Sequence, residues 1–500
     1  MRAFEILLCV INLAGMILLL RHDLQRHHWV VWICVAIIAV IVQSVFEGAR
    51  WQMVPAYTFP PMLLLTTVSR NSVFSRLSPF DTTGLIWRLF RVSCVVVVYI
   101  ITVIPPALIP IFKFPVPDGM YGIGTTSFHW IDSTRHEIFS EEPAQERELM
   151  VQIWYPTAKL QNGVHDNYVA DAGSLSKGLA SALSSNGLIT VPSFFFDHFK
   201  YVRSNAMIDV PISASGVKFP VLIYLSGLDG FRQTGMFQVE YLVSHGYVVV
   251  GIDQPYASAS VTFPDGSTVQ GLTKSEMQPL IDQSIAPVPE PPAFNGILFP
   301  RGVVTYFSED VSFILDKLFD SSNIHPDPGS IDTTRIGVFG VSLGAMVATE
   351  ASRFDPRIKA CLGMDAAIPS DVVAHGLKQP LMFITRPGSD MRLERSASGG
   401  WTERDIEQTL STQMKVYRNA LPGRGYFVSI AGMFHINFTD APRYSPLMST
   451  LGLVGPIDSE KGFKIVNTYT GAFFDHTLKG LPSPLLKGNA VDPGVIYLHH

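Results

Sequence analysis

One serine of the chain lies in a sequence context that suits a nucleophile. Ser342 is the centre of Gly340-Val-Ser-Leu-Gly344, which follows an apolar run and precedes a stretch of small residues. A strand, a sharp turn and a helix in this order lift the serine oxygen off the end of a sheet, and only small residues fit beside the strained turn. The pattern therefore predicts that Ser342 attacks a carbonyl carbon and forms an acyl-enzyme.

A nucleophilic serine needs a base that accepts its proton and an acid that orients the base. After a turn of this kind the acid and then the histidine follow the serine along the chain. Asp365 directly follows the apolar run Ile358–Met364, the next candidate strand after the serine, and is the predicted acid. Asp390 is the rival, because it lies in the loop after the candidate strand Pro380–Thr385, whereas Asp371 follows no strand directly.

His435 is the predicted base. It follows the candidate strand Gly425–Ile430 on a loop, so it also lies beyond a strand end. The other histidines after the acid are less well placed. His375 follows the acid too closely, and His476 lies on a predicted surface helix. His499 and His500 are terminal.

The tetrahedral intermediate also needs backbone N–H donors for its oxyanion. One donor normally belongs to the residue after the nucleophile, here Leu343, and the other to the loop after an early central strand. The candidate strand Pro220–Leu225 ends in Ser226-Gly227-Leu228, and Gly227 allows the backbone to approach a ligand. Leu228 and Leu343 are therefore the predicted oxyanion donors.

The elements that must position these residues alternate between short β-rich runs and helical stretches, of which Val311–Phe319 is the clearest helix. The predicted strands are Leu149–Tyr155, Pro220–Leu225, Tyr247–Ile252, Arg335–Phe339, Ile358–Met364, Pro380–Thr385 and Gly425–Ile430. Alternation of this kind predicts a mostly parallel sheet with helices on both faces. Two stretches near 160–218 and 254–301 depart from the alternation and are predicted to be cap insertions over the open end of the sheet.

Composition separates the chain into two unlike parts. The chain has 500 residues, of which 47% are hydrophobic and only 16% charged, and the shortage of charge is greatest toward the N-terminus. Its net charge of −5 comes with no basic block, so we expect no nucleic-acid partner. The four cysteines form no C-x-x-C or Cys/His pattern. We expect neither a metal nor an organic cofactor nor a disulfide framework.

Apolar stretches fill the first 112 residues: about Ala3–Leu20, Trp29–Phe46, Val54–Val68 and Val92–Phe112. A helix that crosses a bilayer needs ~20 mostly apolar residues. The third stretch is short and contains Pro55, Pro60 and Pro61, so three or four spans are predicted. A signal peptide fits the first stretch less well, because no small-residue cleavage site follows it. The predicted organisation is a transmembrane region over 1–112, a linker over 113–118 and a catalytic domain over 119–500.

Lysine and arginine residues favour the cytoplasmic side of a membrane. With four spans, one side holds Arg21, Arg26, Arg70, Arg76, Arg88 and Arg91, and the other holds Arg2, Arg50 and Lys113. With three spans, the loop 47–91 becomes the cytoplasmic one and the N-terminus changes side. Both counts predict that the large C-terminal region lies outside the cytoplasm.

Taken together, the segments resemble the plasma-type (isoform II) platelet-activating factor acetylhydrolase family of α/β-hydrolases, from about Tyr121 to Leu478. The resemblance is carried, in order, by Glu148–Pro156, Leu225–Arg232, His245–Asp253, Gly340–Gly344, Met364-Asp365 and His435–Phe438. It implies hydrolysis of short or oxidised acyl esters of phospholipids without calcium. It also implies a Ser342/Asp365/His435 triad, favouring Asp365 over Asp390, with backbone donors at Leu228 and Leu343.

The chain departs from the family pattern at two places beside the predicted site. Members often have His-Gly where this chain has Ser226-Gly227, and His-Ser-Phe where it has Val341-Ser342-Leu343. The triad is unaffected, but the substrate preference is open. The N-terminal spans resemble membrane-bound bacterial relatives rather than the secreted enzyme, which implies a multi-pass protein of a bacterial plasma membrane.

These features predict an α/β-hydrolase fold behind a transmembrane helical region. The predicted function is that of a membrane-anchored serine esterase that acts on lipid-derived esters, with the bilayer as its other partner. The alternatives are a general carboxylesterase or polyester hydrolase, a peptidase, and a non-catalytic membrane protein with a degenerate hydrolase domain.

Overall fold

The protein is described by a computed structural model over residues 1–20, 26–69, 85–142, 144–159, 163–185, 187, 190–214, 216–320, 327–488 and 492–499. The chain forms two compact units. The first comprises Met1–Phe112 and Tyr444–Leu447, and the second comprises Lys113–Arg443 and Met448–His500. The units divide between Phe112 and Lys113, at the start of the predicted linker.

The first unit is helical, and its helices are α1 (Ala3–Leu20), α2 (Arg26–Phe46), α3 (Val54–Ser69) and α4 (Leu85–Leu108). Pro60 and Pro61 lie inside α3, so the stretch that its prolines made doubtful is nevertheless helical. A buried ion pair connects α1 with the segment before α3: Arg50 Nε lies 2.7 Å from Glu5 Oε1, and both side chains are almost completely buried. The helices therefore pack around a polar contact as well as apolar side chains.

Among the described helices, one stretch is long and apolar enough to cross a membrane. It is His28–Phe46, with a mean hydropathy of 2.6. The apolar stretches Ala3–Leu18 and Val92–Leu108 fall short of that length. Core helices of soluble proteins and signal sequences meet the same criterion, so this finding supports one candidate span rather than the predicted three or four. Arg21, Arg70 and Arg76, which entered the orientation argument, lie outside the described residues.

The second unit is built on a sheet of eleven strands in the order β15-β14-β13-β12-β11-β5-β6-β2-β1-β4-β3. The strands along the chain are β1 (Gly122–His136), β2 (Glu146–Thr157), β3 (His165–Asn167), β4 (Arg203–Ile208), β5 (Phe219–Leu225), β6 (Val248–Asp253), β7 (Ser260–Thr262), β8 (Thr268–Gln270), β9 (Ala293–Phe294), β10 (Ile297–Leu298), β11 (Ile331–Val341), β12 (Ile358–Met364), β13 (Leu381–Thr385), β14 (Gly425–Ile430) and β15 (Val495–His499). Strands β6, β5 and β11 to β14 run parallel, and β2 and β15 flank them in the antiparallel direction. The sheet is the predicted one, extended at both edges.

The helices of this unit are α5 (Ala172–Ser185), α6 (Met236–Ser244), α7 (Lys274–Ile285), α8 (Val304–Phe319), α9 (Leu343–Phe354), α10 (Ser370–His375), α11 (Gly388–Ser398), α12 (Glu403–Arg418) and α13 (Ser459–Lys479). The buried side chains of β5, β6 and β11 pack against those of α8 and α9 in one continuous core. The predicted cap stretch 160–218 contributes β3 and β4 to the edge of the large sheet as well as α5. The stretch 254–301 contains α7 and two small two-stranded sheets.

The register of the parallel strands aligns the ends that matter for chemistry. Val341 at the end of β11 pairs with Met364 at the end of β12, and Met364 pairs with Ile384 of β13. Thr385 at the end of β13 pairs with Ser429 of β14. The residues that directly follow β11, β12 and β13 therefore meet at one edge of the sheet, where ligands of open α/β sheets bind.

Candidate active site

Ser342 occupies a strained turn between β11 and α9. Its φ of 57° and ψ of −126° lie in a region that residues other than glycine rarely adopt. The turn is fixed because the Ser342 N–H donates to Met364 O at 2.9 Å while α9 begins at the next residue. Strain of this kind persists only where the surroundings enforce it, and it is typical of functional turns.

The glycines on either side of Ser342 make the turn possible by close approach of backbone to backbone. A Cβ atom added to Gly344 would lie 2.2 Å from Leu225 O, and one added to Gly340 would lie 2.4 Å from Gly344 O. Neither backbone oxygen can yield without moving a central strand or the helix start. Small residues at these two positions are therefore a steric requirement of the turn.

Asp365 follows the neighbouring strand at the level of Ser342. It is fully buried, and its φ of 45° also lies in the left-handed region. Its carboxylate accepts three hydrogen bonds, from Thr385 Oγ1 at 3.1 Å, Arg386 Nε at 2.9 Å and His435 Nδ1 at 2.7 Å. Burial alone would raise the pKa of the Asp365 carboxyl, but Arg386 and His435 outweigh burial and lower the pKa to about 2. Asp365 is therefore an anion at neutral pH.

His435 begins a short 3₁₀ turn, His435–Phe438, after β14. Because the ionised Asp365 can only accept, His435 Nδ1 carries the proton of their hydrogen bond, and Nε2 is left as the basic nitrogen. The side chain of His435 is 28% exposed, so the imidazole is accessible while its partner is not. A base in this tautomer, held by a buried carboxylate, can accept a proton from a hydroxyl.

The rival acid Asp390 binds the backbone near His435 rather than its imidazole. It lies at the start of α11, and its Oδ2 accepts the N–H of Gly432 at 2.6 Å, in the loop that leads to His435. The imidazole of His435 is bound to Asp365 instead. Asp390 is thus attached to the backbone of the histidine loop.

The competing histidines have backbone partners or lie away from the ends of β11 to β13. The ring of His375 is hydrogen-bonded to Asp371 O at 2.7 Å, and that of His476 to Leu481 O at 3.2 Å, both at exposed positions. His499 is part of β15, and His500 lies outside the described residues.

The predicted oxyanion donors belong to two backbone segments, the residue that follows Ser342 and the loop after β5. Leu343 is the first residue of α9, so its N–H is one of those that a helix start leaves without an acceptor in the helix. Leu228 follows Gly227, where an added Cβ would lie 3.0 Å from Ser342 Cβ. The Gly230 N–H donates to Gly227 O at 3.0 Å and closes the turn that contains Leu228. Two backbone segments thus approach the serine from different sides.

Three side chains at the site escaped prediction from the sequence. Arg386 is fully buried and binds Asp365, while its Nη1 donates to Glu394 Oε2. The indole of Trp401 lies 5.0 Å from the Arg386 guanidinium and 5.2 Å from the His435 ring, which it meets edge-on. Arg386 directly follows the residue that ends β13, and this position was the only signal in the sequence.

In the part of the chain that the structure describes, no group of three or more histidine, cysteine, aspartate or glutamate side chains could hold a metal ion. The residues after β11, β12 and β14 offer a hydroxyl, a carboxylate and an imidazole, the group types that nucleophilic acyl transfer uses.

Comparison with known proteins identifies the relatives of this chain. The family profile of platelet-activating factor acetylhydrolase, isoform II, matches residues 112–278, which include the loop of Leu228 and end before Ser342. Curated proteins extend the likeness beyond that point. These matches support the predicted resemblance to the platelet-activating factor acetylhydrolase isoform II family.

Members of this family from three mammals share about a quarter of their residues with the chain. The platelet-activating factor acetylhydrolase of Canis lupus familiaris is 27% identical over 54% of this chain and 60% of the relative. The relative from Cavia porcellus is 23% identical over 76% of this chain and 81% of its own length. The relative from Bos taurus is 25% identical over 73% of this chain and 77% of its own length. The match with the dog protein thus spans less than two thirds of its length, and the other two matches span more.

A solved structure shares the fold. A ferulic acid esterase from Streptomyces cinnamoneus superimposes with a TM-score of 0.57 at 25% identity, and the alignment covers 78% of this chain and all of the esterase. The predicted α/β-hydrolase fold is therefore confirmed.

Proposed function

We propose that this chain is a membrane-anchored serine esterase of the platelet-activating factor acetylhydrolase isoform II family that uses Ser342, His435 and Asp365. The family and the esterase neighbour assign the chain to ester-cleaving hydrolases. The observation that carries the proposal is the 2.7 Å hydrogen bond between Asp365 and His435 at the strand end next to the strained turn of Ser342.

The reaction proceeds through an acyl-enzyme. Ser342 Oγ attacks the ester carbonyl while His435 Nε2 accepts its proton, and the Leu343 and Leu228 N–H groups stabilise the oxyanion. The imidazolium, held by Asp365, then protonates the leaving alkoxide. Water attacks the acyl-enzyme with His435 again as base, and the acid product leaves. Every step uses protein groups alone, without a metal or an organic cofactor.

The proposed substrate is a lipid-derived ester, including the short or oxidised acyl chains of phospholipids. The curated relatives are named for platelet-activating factor, and this motivates the class. The second candidate is a general carboxylic ester, motivated by the neighbour that is named for ferulic acid. Rates measured on short-chain phospholipids beside p-nitrophenyl and feruloyl esters separate the two. Turnover confined to the second group would contradict the lipid assignment.

Membrane anchoring is proposed for the first unit. Helices α1 and α4 also carry large apolar side chains that are half exposed or more, such as Val10 at 54% and Ile101 at 51%. The unit's charged pair Glu5 and Arg50 is buried and paired, as the interior of a bilayer requires of ionisable groups. On these grounds we propose further spans beside the candidate His28–Phe46, in a bacterial plasma membrane. The distribution of lysine and arginine residues favours the extracytoplasmic side for the catalytic unit.

A pair of C-terminal reporter fusions tests this topology. We expect activity from a reporter that works only outside the cytoplasm and none from one that works only inside it. The reverse result would overturn the orientation. Release of the full chain from membranes by high salt or carbonate would contradict the anchoring itself.

Covalent labelling tests the catalytic assignment. A fluorophosphonate should modify the full-length protein at Ser342, and labelling and esterase activity should both disappear in Ser342→Ala. Ser396→Ala is the matched control, because the Ser396 hydroxyl is exposed and bonds within its own helix. Labelling of wild type at another serine would contradict the assignment of Ser342. Absence of labelling would support the non-catalytic alternative, and turnover of amides would support a peptidase.

A further inference from the structure

We propose that Arg386 and Glu394 form, with Asp365, a cluster of three charges that sets the protonation of His435. Arg386 positions the Asp365 carboxylate, and Glu394 restores the negative charge that Arg386 would otherwise cancel. This inference rests on the proposed function, since it assigns roles to residues around the same histidine. Both are positioning residues, because they act through Asp365 and His435.

Hydrogen bonds join His435, Asp365, Arg386 and Glu394 into a closed ring. Arg386 Nε donates to the same Asp365 oxygen that accepts His435 Nδ1, while Arg386 Nη1 donates to Glu394 Oε2. That oxygen of Glu394 also accepts the backbone N–H of His435 at 3.2 Å. The arginine is fully buried and Glu394 is only 8% exposed, so water screens these charges little. Glu394 therefore contacts both the arginine that holds Asp365 and the backbone of His435.

The charges show why two carboxylates are needed. An aspartate with a neutral histidine has a net charge of −1, and this charge stabilises the imidazolium that forms during reaction. A buried arginine on the aspartate would reduce the net charge to zero and remove much of that stabilisation. Glu394 returns the net charge to −1. The cluster thus keeps the electrostatics of a simple Asp–His pair while Arg386 fixes the carboxylate in place.

The other charged groups around the histidine turn are engaged elsewhere. Asp390 of α11 accepts the Gly432 N–H. Glu460 and Lys461 of α13, which packs against the turn, bind Arg443 and Asp492. Asp440, which follows the turn, accepts two N–H groups at the start of α6.

The test is the pH dependence of kcat/KM for ester hydrolysis by the full-length enzyme. Its acidic limb reports the loss of the proton from the histidine in the free enzyme. Glu394→Gln removes a negative charge, so the acidic limb should move to lower pH by roughly one unit, and the plateau should fall about tenfold. Arg386→Gln removes a positive charge, so the limb should move to higher pH. The double variant restores the net charge, and its limb should return close to that of wild type.

A matched variant separates the cluster from the general effect of a buried charge. Glu350 is buried and paired with Arg353 on α9, so Glu350→Gln makes the same chemical change away from the histidine and should leave the limb in place. If Arg386→Gln fails to fold, Glu394→Gln beside Glu350→Gln still decides the matter. Limbs that do not move in an active Glu394→Gln enzyme, or that move in the same direction for both charge removals, would overturn the inference. An inactive, unlabelled wild type would instead refute the proposed function.

Discussion

The catalytic unit contains two buried arginines that each bind two carboxylates, yet only one of these clusters surrounds a base. Arg386 binds Asp365 and Glu394 at the candidate active site. Arg147, at the start of β2, binds Glu137 and Asp310. Both guanidiniums are fully buried, and each lies against an aromatic ring. Burial, charge and aromatic contact therefore do not by themselves distinguish a functional cluster from a structural one.

The difference lies in the third partner and in how completely each arginine is bound. Asp310 receives additional hydrogen bonds from Arg135 and Gln254, so the Arg147 cluster combines carboxylates, guanidinium groups and an amide, without an imidazole. Asp365 instead receives its additional bond from the partly exposed His435. Among the described residues, Arg386 Nη2 has no hydrogen-bond acceptor. The Arg386 cluster thus has an arginine nitrogen without an acceptor in the described part of the chain and includes the imidazole of His435, whereas the Arg147 cluster connects β2 to α8.

The strongest way to break this comparison is to remove the charge of Asp365. Asp365→Asn should lower kcat by about 10³- to 10⁴-fold, because the amide no longer holds the reactive tautomer of His435 or stabilises its imidazolium. Steady-state kinetics on a p-nitrophenyl ester measures the loss. Asp390→Asn is the control and should cost less than about tenfold, since an amide oxygen still accepts the Gly432 N–H. An equal loss in both variants would remove the distinction between the two aspartates.

The equivalent change in the other cluster should affect stability instead. Asp310→Asn leaves Arg147 and Arg135 without their shared carboxylate, which should cost about 3–5 kcal/mol of the free energy of unfolding. Thermal unfolding measures the loss, and kcat/KM of the protein that remains folded should be that of wild type. Burial would raise the pKa of Asp310, but Arg147 and Arg135 outweigh it and lower the pKa. A selective loss of kcat/KM without loss of stability would make the Arg147 cluster part of the active site.

A third buried carboxylate, Glu240, has no direct arginine partner among the described residues and can be compared with Asp365 and Asp310. Glu240 accepts both its hydrogen bonds from Asn205, and burial, with a smaller contribution from Asp440, raises its pKa to about 7. A raised pKa in the folded state means that the fold binds a proton the unfolded chain has already released. The contribution of Glu240 to stability is therefore fully present below about pH 4.5 and is lost as the pH rises through 7.

Glu240→Gln should remove this pH dependence. Between pH 5 and pH 8, wild type should lose stability that the variant keeps, by about 2 kcal/mol. Thermal midpoints across this range measure it. Glu350→Gln is again the control, because its carboxylate is paired with an arginine and should leave the pH profile of stability unchanged. The same slope in wild type and Glu240→Gln would show that Glu240 is ionised throughout.

The sequence was most informative where local pattern alone decides structure. Strands β12 and β14 have the predicted bounds, because strands buried on both faces appear as continuous apolar runs. Strands β1 and β15 were not predicted. Both lie toward the edges of the sheet, where side chains meet solvent. Polar residues interrupt the apolar run in β1, and β15 has only five residues.

The same division holds at the site. Asp365 and His435 could be proposed because each lies just beyond a strand in the expected chain order. Glu394 and Trp401 could not, because the first lies on a helix and the second on a loop, and only tertiary packing brings them to the histidine. Residues that support the reacting groups have no fixed spacing from them along the chain.

The aromatic rings over the two arginines offer the finest test of the comparison. Trp401 contacts both Arg386 and the ring of His435, so Trp401→Leu should lower kcat/KM about tenfold, the equivalent of about 1.4 kcal/mol for a desolvated cation–π contact. Trp401→Phe keeps an aromatic face and should recover most of the loss. Tyr306→Leu removes the ring over Arg147 and should lower the thermal midpoint while leaving kcat/KM unchanged. If the two leucine variants lost activity equally, the rings would serve only the fold, and the Arg386 cluster would have no special dependence on its aromatic neighbour.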